Sequence, residues 1–251
     1  MYYYIFEPPH GSHDYERMAQ VKEYLATLGI AGEMTSPTPG KDLEDLVESA
    51  IQKRYSTVVA VGGSALINRV ARALEPHDAV FGIIPLQEHP DITKIVGVSD
   101  WKAAAEHLKR RRLRDVQIGL YNDQEGFLTP VTIVLNSDQR AVIKADKYSL
   151  ESFGGTITVS PSIPEEEGGK TATLDLTITY PQPAKAGFLS SLFKRSTPQN
   201  LNTQLVSKNF QIQTDPVLPV SVAGAELGPT PCTFSVQKKP LKLIVAKGNS
   251  I

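Results

Sequence analysis

The residues best placed to do chemistry lie in one turn, Val61-Gly62-Gly63-Ser64-Ala65-Leu66, which follows an apolar strand-like run and opens a helical one. Backbone N–H groups at a helix start can hold a phosphate, and glycines let the phosphate approach the main chain. Two glycines also suit a tight turn that only redirects the chain, and the turn by itself leaves both readings open. Other reactive groups are sparse. His10 and His13 could approach one metal ion, but no third ligand accompanies them and a loop position is the plainer reading, so no metal site is expected. Glu165-Glu166-Glu167 before Gly168-Gly169 reads better as solvated loop than as a cation site. Cys232 is the only cysteine, which excludes an intramolecular disulfide and a cysteine zinc cage, and it reads as a small buried side chain.

Two stretches could touch a membrane. Lys109-Arg110-Arg111-Arg112 with Arg114 follows a helix, where cations also complement the helix dipole and need no other explanation. Phe188, Leu189, Leu192 and Phe193, followed by Lys194 and Arg195, have the pattern of shallow insertion into an anionic interface, or of packing against a neighbouring domain or dimer partner.

The elements that must position these groups change character along the chain. Up to about residue 121, strands and helices alternate: Tyr2–Phe6, a helix bearing Met18, Val21, Leu25 and Leu28, a helix over Lys41–Arg54, the apolar strand Thr57–Val61, a helix over Ala65–Leu74, the strand Phe81–Pro85, a helix capped by Asp100, and a strand over Asp115–Leu120. Beyond it the helical period gives way to β-branched alternation between Gly, Pro and Ser-rich turns. Strands are expected at Thr132–Leu135, Ala141–Ala145, Gly155–Val159, Leu174–Tyr180, Phe210–Gln213, Val217–Val222, Thr233–Val236 and Leu241–Val245, with loops over Ser160–Lys170 and Pro181–Asn200. The pattern predicts an α/β plus all-β chain: a Rossmann-like, doubly wound parallel sheet over 1–121, then a β-sandwich over 122–251.

Composition narrows the function class. With 26 basic against 27 acidic side chains among 251 residues, no charge excess points to nucleic acid. The longest stretch free of Asp, Glu, Lys and Arg is Tyr55–Asn68, too short for the roughly 20 residues of a membrane span. No basic, cleavable leader is visible at the start, so a cytoplasmic location is expected, with contact at the inner face of the membrane as an option.

At the glycine turn the chain resembles the diacylglycerol kinase family of lipid kinases in its bacterial form. That family places Gly-Gly-Asp-Gly-Thr after a buried strand and, about twenty residues on, Gly-Ile-(Ile/Leu)-Pro-Leu-Gly-Thr-Gly-Asn-Asp. Val58-Val59-Ala60-Val61-Gly62-Gly63 and Gly82-Ile83-Ile84-Pro85-Leu86 match the framework of both, and Asn68 and Val70 fall where the family has Asn-Glu-Val. Trp101-Lys102-Ala103-Ala104, Val116-Gln117-Ile118-Gly119, Ile212 to Val220 and Leu227-Gly228-Pro229-Thr230-Pro231 extend the likeness over most of the chain. The resemblance implies a nucleotide loop built from Gly62, Gly63, Ser64 and Asn68, ATP and magnesium as cofactors of an active member, and a lipid substrate.

The departures fall on polar positions. Ser64, Ala65 and Leu66 replace the family's Asp, Gly and Thr; Gln87-Glu88-His89-Pro90 replaces Gly-Thr-Gly-Asn before Asp91; Glu7-Pro8-Pro9-His10-Gly11 replaces Asn-Pro-x-Ser-Gly, turning an acidic residue towards the phosphate side. Ala223-Gly224-Ala225 stands where the family's Asp-Gly-Glu supplies a proton acceptor, with Glu226 one residue on. The expectation is a degenerate lipid-kinase fold with no bound cofactor, retaining lipid, membrane or partner binding. The alternatives are an active kinase using Asp91 and Glu226 with ATP and magnesium, or a subunit paired with itself or with an active homologue.

Overall fold

A computed structural model describes residues 1–146, 148–163, 172–180 and 202–246. The chain begins with β1 (Tyr2–Phe6), α1 (Ser12–Thr27), β2 (Glu33–Thr35), α2 (Leu43–Gln52), β3 (Thr57–Gly62), α3 (Ser64–Leu74), β4 (Val80–Pro85), α4 (Pro90–Val96), α5 (Trp101–Arg110) and β5 (Leu113–Val116). It continues with β6 (Gly119–Tyr121), β7 (Glu125–Phe127), β8 (Val131–Ala145), β9 (Tyr148–Pro161), β10 (Leu174–Thr179), β11 (Asn202–Ser207), β12 (Asn209–Asp215), β13 (Pro219–Val222), β14 (Ala225–Pro229), β15 (Cys232–Val236) and β16 (Leu241–Ile244).

The first sheet has the order β2-β1-β3-β4-β16-β5, parallel apart from the antiparallel β5. Successive side chains of a strand point to opposite faces, and here both faces are covered. Tyr3, Ile5, Val58, Ala60, Phe81 and Ile83 pack with α2, α3 and α4, whereas Tyr4, Phe6, Val59, Val61 and Ile84 pack with α1 and α5. That is the doubly wound arrangement the sequence predicts, and two-sided burial explains why β3 is apolar throughout. Asp100 caps α5 as expected, accepting from the Lys102 and Ala103 N–H groups at 3.0 Å each.

The second domain is a ten-stranded antiparallel sheet, order β11-β10-β9-β8-β12-β15-β6-β7 with β13 and β14 joined at β8, wrapped around one core by the bent β8–β9 hairpin. The early part of β8 lies between β9 and β13, its later part between β9 and β12, and the ladder with β9 shifts register between Leu135 and Arg140. A bulge of this kind sharpens twist and lets one strand serve two layers. Val131, Ile133, Leu135, Ala141 and Ile143 of β8 share one core with Ile157, Leu176, Phe210, Val220 and Phe234. The two expected strands Thr132–Leu135 and Ala141–Ala145 are therefore one element, β8, whose ladder with β9 is interrupted over residues 136–139 and resumes at Arg140.

Three expectations need correction. Between the strand ending at Pro85 and the helix capped by Asp100 lies a helix the sequence reading does not include: Pro90 opens α4, where its lacking N–H costs nothing, Ile92, Ile95 and Val96 are buried, and Gly97 ends it at φ 87°. The segment Asp115–Leu120 is not one strand but the crossing between sheets, β5 ending in the first and β6 starting the second. Leu241–Val245 belongs to the first domain, because Leu241 and Leu243 face the α2–α3–α4 core and Ile244 the α1–α5 core. The division at 121 and 122 thus becomes an insertion: β6 to β15 sit between β5 and β16. The expected loop calls over 164–170 and 181–200 lie outside the described residues.

Truncating Leu243, fully buried on the strand between β4 and the edge strand β5, tests the returning strand. Leu243→Ala is expected to remove about 2–5 kcal/mol, seen as a lower urea midpoint by fluorescence of Trp101, the single tryptophan, in the first domain.

Candidate functional site: a glycine loop at the switch point

The order β2-β1-β3 makes successive crossovers leave β1 in opposite directions, which opens a crevice at the carboxyl ends of β1 and β3. Phe6 pairs with Val61, so the next residues, Glu7 and Gly62, meet at that crevice. Glu7 is fixed there by its own main chain, whose N–H donates to the Val61 carbonyl at 2.9 Å. Its side chain folds over the loop, and Oε2 accepts the Gly63 N–H at 2.8 Å. Gly63 is the N-cap of α3, with no side-chain cap of its own. The Glu7 carboxylate therefore occupies the place at a helix start that favours an anion.

Glycine at 62 is required by crowding and not by a left-handed φ. A Cβ there would lie 2.7 Å from Glu7 Cβ, 2.8 Å from Glu7 Oε2 and 2.9 Å from Leu66 Cδ2. The close approach that glycine permits is taken up by two side chains of the protein itself. Leu66 is buried in the α2–α3–α4 core. Ser64 is 9% exposed, and its Oγ has no hydrogen-bond partner among the described residues. Ala65 is exposed.

Asn68, expected on the loop, points elsewhere. Its Nδ2 donates to the Ser64 carbonyl at 2.8 Å and to Thr129 Oγ1 at 2.6 Å, and its Oδ1 accepts from the Leu128 and Thr129 N–H groups at 2.8 and 3.1 Å. Both donors and both acceptor positions are in use. Asn68 ties α3 to the segment that leads into β8, and Arg72 adds an ion pair with Glu125 of β7. Helix α3 is thus both the glycine helix and the plank on which the second domain rests.

The second segment contributes less than its sequence suggests. Leu86 N–H donates to the Gly62 carbonyl at 3.3 Å, holding the two strand ends together. Gln87 and Glu88 are exposed, so the carboxylate delivered to the loop is Glu7 and not Glu88. Asp91 lies in the first turn of α4, its Oδ2 3.6 Å from His89 Nδ1, both side chains 42% exposed. In the second domain, Ala223 and Gly224 form the turn between β13 and β14 with φ of 49° and 81°, the signature of a two-residue hairpin turn. Glu226 stands opposite Ser221 on the ladder and is exposed. The structure therefore brings Gly62, Gly63 and Ser64 together with Glu7, and assigns Asn68 to the domain junction.

Beside Glu7 lies a cavity of about 180 Å³ lined by Pro8, Pro9, His10, His13, Asp14, Arg17, Met18, Leu86 and Gln87. The Asp14 carboxylate accepts the His10 N–H at 2.9 Å and lies 3.9 Å from His13 Nδ1. Among the described residues no group of three His, Cys, Asp or Glu side chains could hold a metal ion. A larger groove, about 380 Å³, runs across the second domain past Asn122, Lys144, Gln211, Gln213 and Cys232. Cys232 is buried, and burial raises its thiol pKa to about 12.

The basic run after α5 is partly committed. Arg110 lies 3.7 Å from Glu106, Arg111 holds the Thr57 hydroxyl from a left-handed C-cap position, and Leu113 between them and Arg114 is 44% exposed. Phe188, Leu189, Leu192, Phe193, Lys194 and Arg195 lie outside the described residues. No helix among the described residues is long and apolar enough to cross a membrane.

Two outcomes follow from this geometry. Asn68→Ala leaves two buried N–H groups without acceptors and is expected to cost about 2–5 kcal/mol, measured by denaturant unfolding. Cys232 is expected to resist alkylation at pH 8 in the native protein, far below its raised pKa, and to react on unfolding; mass spectrometry reads both states.

The comparisons with known proteins agree with this architecture. Residues 2–121 match the family model of the diacylglycerol kinase catalytic domain. The chain is 24% identical over 175 residues to the diacylglycerol kinase of Bacillus subtilis strain 168, a match covering 65% of this chain and 58% of that protein. It is 30% identical over 118 residues to a Pseudomonas aeruginosa protein named "Probable lipid kinase YegS-like", covering 43% of this chain and 39% of that one. The matches thus span less than two thirds of the length of these curated relatives. The crystal structure of a diacylglycerol kinase from Bacillus anthracis str. Sterne superposes with a TM-score of 0.68 at 16% identity, over 98% of this chain and 96% of that one. A further crystal structure from the same organism gives 0.72, also at 16% identity and with the same coverage, a likeness that carries the fold alone. Residues 2–121 are thus similar to the diacylglycerol kinase catalytic domain, and the two-domain fold of the chain is that of the solved Bacillus anthracis structures.

Proposed function

We propose that this protein has exchanged phosphoryl transfer for binding, using a lipid-kinase fold to hold a lipid, a membrane surface or a protein partner without turning over ATP. The observation that supports it best is the Glu7 carboxylate on the Gly63 N–H at 2.8 Å. The residues present do not fit magnesium ATP. A phosphate oxygen about 4 Å from that carboxylate would meet a like-charge penalty of about 4 kcal/mol at an effective dielectric of 20, or close to three decades in affinity. Swinging Glu7 away instead forfeits a charge-assisted hydrogen bond worth about 1.5–3 kcal/mol. Either route weakens nucleotide binding, and Leu66 over Gly62 narrows the space further.

Proton abstraction from a lipid hydroxyl lacks an acceptor at the position that the family's carboxylate occupies, since Ala223-Gly224 is a bare hairpin turn there. Phosphoryl transfer depends on charge neutralisation and an oriented nucleophile, and both supports are weakened together. Membrane contact would draw on the exposed Leu113 beside Arg114, and on 188–195. A second reading, an active kinase with a rearranged site, has one observation in its favour: the His89–Asp91 pair at the start of α4, a carboxylate and an imidazole 3.6 Å apart.

Transfer of labelled phosphate from ATP to diacylglycerol in mixed micelles with magnesium separates the two. The expected result is no product above the no-protein background, and no calorimetric heat with ATP at millimolar concentration. Sustained turnover abolished by Asp91→Ala would establish the second reading.

A further inference from the structure

We propose that Glu7 is an intramolecular stand-in for a ligand phosphate, so that the glycine loop stays ordered with no anion bound and becomes an oxyanion site once Glu7 is removed. The proposal rests on the reading that the loop takes no nucleotide, and adds how that state is held.

A glycine loop at a helix start presents N–H groups that the helix cannot satisfy and a positive dipole end that favours negative charge. A loop built for a ligand leaves both unanswered until the ligand arrives. Here one of those N–H groups, that of Gly63, and the dipole end are answered from within the chain. Glu7 Oε2 accepts the Gly63 N–H at 2.8 Å, and the carboxylate lies 2.8 Å from where a Gly62 side chain would begin. The carboxylate is held by the fold and is not a chance rotamer on a mobile loop: the Glu7 N–H is bonded to the Val61 carbonyl, one residue before the glycines. A carboxylate offers acceptor oxygens and negative charge, the two properties for which such a site selects phosphate.

Two independent features suit an anion-receiving site beneath Glu7. Ser64, the first residue of α3, is nine-tenths buried with its Oγ unpartnered among the described residues, a hydroxyl without a mate beside the same N–H groups. The cavity flanking Glu7 brings Arg17, His10 and His13 to its wall against a single further carboxylate, Asp14. It is a route by which a small anion would reach the loop. Gly62 remains glycine because Glu7 uses the close approach that a phosphate would use.

The probe is inorganic phosphate, with potassium chloride at matched ionic strength as control. Wild-type protein is expected to keep its melting midpoint as phosphate rises to tens of millimolar. Glu7→Ala is expected to melt lower by about 2–4 °C and to regain stability saturably with phosphate, binding it at least tenfold more tightly than wild type. In amide NMR spectra the Gly63 resonance of Glu7→Ala moves with phosphate, while that of wild type does not. Glu7→Gln keeps an acceptor oxygen and fills the same volume but loses the charge, so it is expected to stay unresponsive to phosphate and to melt between wild type and Glu7→Ala; should Glu7→Ala fail to fold, a Gln variant that melts below wild type with its Gly63 amide still bonded supports the stand-in role, and one that melts as wild type overturns it.

Equal phosphate affinity in wild type and Glu7→Ala, or an alanine variant neither destabilised nor responsive, would overturn the proposal. A phosphate-responsive Glu7→Gln would do the same. Failure of the functional reading looks different: kinase turnover by wild type refutes that reading directly, whereas an unresponsive Glu7→Ala with no turnover refutes only the role assigned to Glu7.

Discussion

The first N–H groups of a helix have no partner inside it, and something must answer them. At the start of α3 the answer is Glu7, and the character of the site follows from that choice. Because β1 and β3 are neighbours in register, with Phe6 opposite Val61, the residue after β1 is delivered directly onto the loop after β3. Whatever side chain stands at position 7 therefore decides the charge at the crevice. An acidic residue there makes the loop self-contained, and a Leu two residues into α3 packs over the glycine that remains. A glycine turn at a helix start is kept, and a carboxylate of the chain itself stands at its rim.

The same helix joins the two halves of the molecule. Asn68 spends its whole amide on Ser64, Leu128 and Thr129, and Arg72 reaches Glu125. A group that the family pattern suggests for a ligand is thus employed in fixing one domain against the other. Loop and junction are one turn apart on α3, so a change at either is felt by the other through a rigid element. That places a fully bonded, buried amide beside the crevice and not within it.

What could be read from the residues depended on how local the signal was. The helical period of Leu43, Leu46, Val47 and Ala50, the Asp100 cap and the two-sided apolar run of β3 are local, and each reappears in the structure. The acidic turn of Glu7 towards the glycines was also legible, since it rests on comparing residue types at one position. Its bond to Gly63 was not, because that depends on strand order. Helix α4 is not legible although Pro90 and Gly97 bracket it, since a helix of seven residues is too short to show a helical period. Asn68 is not placed by the sequence: apart from the Ser64 carbonyl, its partners Leu128 and Thr129 lie about sixty residues away, at a junction that only the tertiary fold creates. The bent β8 looked like two strands because a bulge carries polar residues that alternate like a turn.

The returning strand β16 has an effect on how the molecule comes into being. Until Leu241–Ile244 emerges, β4 has an open edge and β5 has no neighbour, since each pairs on that side only with β16. A ribosome making this chain must therefore synthesise the entire sandwich before the first sheet can close. Through that interval β4 shows bare backbone of the kind that recruits other strands. Strand β16 acts as a latch on the first half, and a nascent chain cut short within the sandwich would leave an unfinished sheet and not a free-standing domain.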